Sequence, residues 1–159
     1  MNLRPLLVPT IALLCQGCRV PVLLYPVNGP MQEGKPFTAI QGRVSGGFYS
    51  GAISFVLPEG EHCQGTWSSI KPLQVHTDNQ AQDDSPSGTL FSVWSSIFGE
   101  GYYVANVLGA RQHGQAILNG ERGTVIKLEF YVSNHNGSPI LGVARDNKGN
   151  NYKFVVGPM

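Results

Sequence analysis

From Phe37 onward the chain is built of short runs rich in Val, Ile, Phe and Tyr, punctuated by Gly, Pro and Asn at intervals of about 8–12 residues. Such spacing leaves no room for long helices and specifies many short strands joined by tight turns. Composition agrees: 20 Gly and 11 Pro among 159 residues, with only 13% charged side chains, describe a turn-rich, weakly charged chain. The expected fold is mainly β, an antiparallel sandwich or barrel-like sheet in one domain, residues 37–159.

Three stretches carry the alternation. Ile53, Phe55 and Leu57 share a face and precede a Pro58-Glu59-Gly60 turn. Over Thr124–Val132, Ile126, Leu128, Phe130 and Val132 define a core face, and Lys127, Glu129 and Tyr131 are expected on a wet one. Leu141–Arg145 and Tyr152–Val156 flank a polar turn and form a terminal hairpin with Tyr152, Phe154 and Val156 inward. One segment breaks the period of two. Leu90, Phe91, Val93, Trp94, Ile97 and Phe98 fall at helical spacing, with Ser85-Pro86 ahead and Gly99 behind, which predicts a short amphipathic helix near residues 87–98 lying on the sheet or plugging a barrel end.

The first 17 residues have a different character. A single positive charge, Arg4, precedes an apolar run from Leu6 to Leu14 and a small residue, Gly17, before Cys18. That is the layout of a secretory signal peptide, and the run is short of the roughly 20 apolar residues of a membrane-spanning helix. Its end resembles the lipobox of bacterial lipoprotein precursors, with Gly17 and Cys18 in place and Cys15 where Leu is usual. The resemblance implies lipidation of Cys18 and residence in the cell envelope, facing the periplasm or exterior, held to the membrane by the anchor; secretion as a soluble protein is the alternative. Residues 19–36 hold four prolines and are expected to form a tether that partly packs, although Val22-Leu23-Leu24-Tyr25 could instead cover a sheet edge.

The segments GAISFVLPEGEHCQGTW (51–67), WSSIFGEGYYVANV (94–107) and GQAILNGERGTVIKLEF (114–130) resemble a group of small uncharacterised bacterial lipoproteins and secreted β-domain proteins. The resemblance implies export and a β fold and carries no activity with it.

Without residues 1–17 the chain has 10 basic and 10 acidic residues, and the basic ones form no stripe, so the electrostatic footprint of a nucleic-acid binder is missing. Cys63 is then the one cysteine besides Cys18, expected as a buried thiol. His62 and Cys63 are strand neighbours and point to opposite faces, which argues against a shared metal or a Cys-His nucleophile. Asp78, Asp83 and Asp84 lack the spacing of a calcium loop. No metal site or cofactor is expected, and no catalytic residue is assigned. The aromatics Trp67, Trp94, Tyr102 and Tyr103 are weighed as groove-lining residues; Trp94 is expected in the core, and one of Tyr102 and Tyr103 outside. Arg122, in the turn Gly120–Thr124, is a candidate for pairing with a carboxylate, beside the simpler reading that its flanking glycines serve a tight turn. The binding candidates are therefore Tyr102, Tyr103 and Arg122. The leading expectation is a non-enzymatic envelope protein that contacts another envelope component or a small ligand. The rival is an exported hydrolase-like enzyme built from dispersed His62, His113 and the acidic loop.

Overall fold

The computed structural model describes residues 19–33, 38–70, 90–110, 112–133 and 139–156. The signal segment, Cys18, the loop containing Asp78, Asp83 and Asp84, and His135 lie outside the described residues.

The strands are β1 (Val20–Asn28), β2 (Ile40–Gly46), β3 (Ser50–Val56), β4 (His62–Ile70), β5 (Gln112–Gly120), β6 (Val125–Val132), β7 (Ile140–Asp146) and β8 (Asn151–Val156). Each pairs antiparallel with the next, and β8 returns to β1 to close an eight-stranded barrel. Closure removes every sheet edge, and with it the unpaired N–H and C=O groups that an open sheet exposes. The barrel has two ends. The turns 57–61, 121–124 and 147–150 form the base; the turn 47–49 and the strand ends Val20, Ile70, Gln112, Val132, Ile140 and Val156 surround the mouth.

The segment expected as a tether is instead a stave of the barrel. Val22 and Leu24 alternate into the core, at 1% and 0% exposure. Its prolines are tolerated because of where they fall: Pro26 sits at a bulge in the β1–β8 register, and Pro21 precedes that register, which begins at Val22. A missing N–H is admissible at such positions.

Inward side chains fill the barrel. Ile53, Phe55, Leu57, Ile126, Leu128, Tyr152 and Phe154 are buried as their alternation predicts. An eight-stranded barrel has room for side chains or for one small ligand. Glycines set the balance: Gly42 and Gly114 face inward where the Phe55 and Phe130 rings lie, and a Cβ at either position would strike those rings.

The helix α1 (Phe91–Phe98) ends at Gly99, whose φ of +96° favours glycine, and a π-helical turn follows at Tyr103–Val107. Together they cover the outer wall of the barrel, where Leu90, Val93, Trp94, Tyr103 and Val107 pack on Tyr131 and Val143 in a second core. This covering corrects the expected wet face of β6, on which Glu129 and Tyr131 are only 1% and 6% exposed. It also corrects the strand alternation assumed for Tyr102 and Tyr103. On a helical turn Tyr103 is buried and Tyr102 half-buried.

Candidate functional site: the barrel mouth

Three places concentrate polar or aromatic groups: the base, the wall under α1, and the mouth.

At the base, Glu61 turns inward and is buried. Its carboxylate accepts hydrogen bonds from the backbone N–H of Arg122 (2.9 Å) and Thr124 (3.1 Å) and from the Thr124 hydroxyl (2.5 Å), with Lys148 Nζ at 3.6 Å. The Thr124 hydroxyl first, then the two amides and the Lys148 charge, outweigh burial and hold Glu61 down at about 2, against an ordinary 4.5. Arg122 Nη2 donates to the Glu59 carbonyl at 2.7 Å. The turn's anion-binding donors are thus satisfied from within the chain. Of its glycines, Gly123 has the expected positive φ, +89°, whereas Gly120 leaves space for the Glu61 carboxylate and the Cys63 sulfur. Beside it, Asp146 accepts from Tyr152 Oη at 2.7 Å and from the Asn150 backbone N–H at 2.8 Å; burial and this carboxylate push the Tyr152 hydroxyl far above its usual range. Cys63 is buried and free, and burial, then the Glu61 charge, push its thiol up to about 11. These groups plug the base.

Under α1, Glu129 Oε2 accepts from the Leu90 N–H (2.7 Å) and Trp94 Nε1 (3.0 Å), and Oε1 accepts from Tyr103 Oη (3.0 Å). His113 Nε2 lies 2.5 Å from Oε1. Tyr102 Oη and Tyr131 Oη are 2.8 Å apart, and burial followed by this bond raises Tyr131 well beyond its usual range. The network fastens helix to wall.

The mouth is different, because it holds an apolar cavity. A cavity of about 220 Å³ is lined by Val44, Trp67, Phe130, Ile140, Phe154 and Val156, with Val20 and Phe48 on its rim. Trp67 Nε1 donates to the Ser45 carbonyl at 3.1 Å, fixing the indole at one wall and meeting its one polar need. On the rim, Phe48 and Tyr49 are 85% and 80% exposed. Their turn is nonetheless held: Gly47 N donates to Ser50 O (3.0 Å), Ser69 N to Tyr49 O (2.7 Å), and the Gln112 side-chain amide to Phe48 O.

Tyr102 and Tyr103 belong to the second core and Arg122 to the base turn, so the three binding candidates do not converge. His62 and His113 do not meet either. They lie beside opposite ends of β4, where His62 faces Val56 and His113 faces Ile70, about 25 Å apart at strand spacing. Of the weighed aromatics, Trp67 reaches the mouth. Phe48 and Tyr49 were not singled out from sequence, although a turn bearing two rings between Gly47 and Gly51 is itself a signal, since turns ordinarily carry polar residues. Comparison with family models, with curated proteins and with solved structures returned no match.

Proposed function

We propose that this chain is an exported envelope protein, lipid-anchored at Cys18 and facing the periplasm or exterior, whose barrel works by binding and not by catalysis. Its ligand is a short apolar group, such as a single acyl chain, received in the mouth. The observation that carries this reading is the apolar cavity lined by Trp67, Phe130 and Phe154, bordered by a held turn with two exposed rings. A volume of about 220 Å³ lies below the roughly 300–1,000 Å³ of drug-sized sites, so the cup suits part of a ligand. The held rim supports binding because little ordering entropy is lost on contact.

Octanoate is a suitable probe. Calorimetric titration of the full chain is expected to give one site per chain and a negative heat-capacity change, the mark of apolar burial. Absence of saturable binding would remove the reading. The anchor is tested separately, since Cys18→Ser should abolish incorporation of labelled palmitate.

A further inference from the structure

We propose that the mouth end of the barrel docks on an anionic phospholipid bilayer, with Phe48 and Tyr49 seated at its interface. The orientation rests on the proposed anchor at Cys18, and the docking surface itself rests on the described residues.

The first argument is distance. β1 begins at Val20, so only Arg19 separates Cys18 from the first stave. Two residues span at most about 7 Å. Acyl chains on Cys18 would therefore emerge at the rim of the mouth, with no spacer to let the barrel stand away from the membrane. The second argument is the surface presented there. Phe48 and Tyr49, at 85% and 80% exposure, are the two most exposed large apolar side chains among the described residues, and both belong to the mouth end, where Val20 is also exposed. Aromatic side chains with this exposure suit the headgroup boundary, where an apolar body and a polar tip are both satisfied. The third argument is charge. Among the described residues, Arg19 is exposed at this end and Arg43 midway along β2, whereas at the base the exposed Glu33, Glu59 and Glu121 outnumber the exposed Arg122 and Lys148. An anionic surface therefore favours the first end over the second. Anchor, rings and cations then act together, as stable membrane attachment requires more than one weak signal.

The test places an environment-sensitive fluorophore on an introduced cysteine in the full chain, at Phe48→Cys or at Glu121→Cys, with the unsubstituted chain measured alongside to subtract labelling of native cysteines. Vesicles of phosphatidylglycerol and phosphatidylethanolamine carry a lipid-attached nitroxide quencher. Docking predicts quenching at position 48 that exceeds quenching at position 121 by about twofold or more. Equal quenching at the two positions, or none at either, would overturn it. A fluorophore at position 48 already shielded without vesicles, in a species of doubled mass by ultracentrifugation, would assign the turn to a second copy and would also overturn it. Palmitate labelling distinguishes the two ideas: an unlabelled Cys18 with selective quenching at position 48 ends the anchor and keeps the docking, whereas a labelled Cys18 without selective quenching does the reverse.

Discussion

Glu61 illustrates how much a single residue's environment can depart from its neighbourhood in sequence. It lies two positions from solvated Glu59, yet its donors come from Arg122 and Thr124, more than 60 residues away. No local pattern announces such a partnership. Because its folded value is depressed, from 4.5 to about 2, its contribution to stability is complete above about pH 4.5 and is lost as the pH falls toward 2. Chemical denaturation of the wild type and of Glu61→Gln should therefore differ most at neutral pH, and the difference should shrink across that window. A difference independent of pH would mean that the carboxylate is not held as described. A second residue-scale test concerns volume. Gly114→Ala puts a Cβ against the Phe130 ring, and overpacking of this kind costs about 1–3 kcal/mol, readable as a lowered denaturation midpoint with unchanged slope.

At the scale of elements, α1 and β1 show what periodicity can and cannot deliver. The helix was legible because Leu90, Val93, Trp94 and Ile97 fall on one face and Gly99 follows; its seat was not, because the partner is Glu129, which alternation alone assigns to solvent. A carboxylate on a strand becomes a buried acceptor only when something distant covers it. Glu129→Leu should remove the carboxylate that accepts from the Leu90 amide, the Trp94 indole and the Tyr103 hydroxyl, at a cost on the order of 3 kcal/mol. Hydrogen exchange at residues 90–107 should quicken more than exchange in the barrel core; uniform quickening would contradict a local fastening. β1 was obscured for the opposite reason. Four prolines in eighteen residues favour an extended tether, and only the bulge at Pro26 and the position of Pro21 outside the β8 register make a strand of it. Arg122→Ala, which removes a bond at the base turn, should leave octanoate binding at the mouth unchanged.

Across the whole molecule, the β class and several core positions followed from alternation and turn spacing, because burial of one face fixes every second residue. Closure into a barrel was one of two open alternatives, since pairing of β1 with β8 joins segments more than 120 residues apart. The mouth was only partly legible: Trp67 was among the aromatics considered, but the end of the barrel to which it belongs is set by topology. Closure gives the molecule its polarity, with buried carboxylates and tight turns at the base and apolar surface at the mouth. The most direct test is octanoate titration of Val44→Trp, in which an indole fills the cup while Phe48 and Tyr49 remain. Binding weakened by about tenfold or more, in a protein that still unfolds cooperatively, is the predicted result; affinity equal to that of the wild type would contradict the mouth as the binding site.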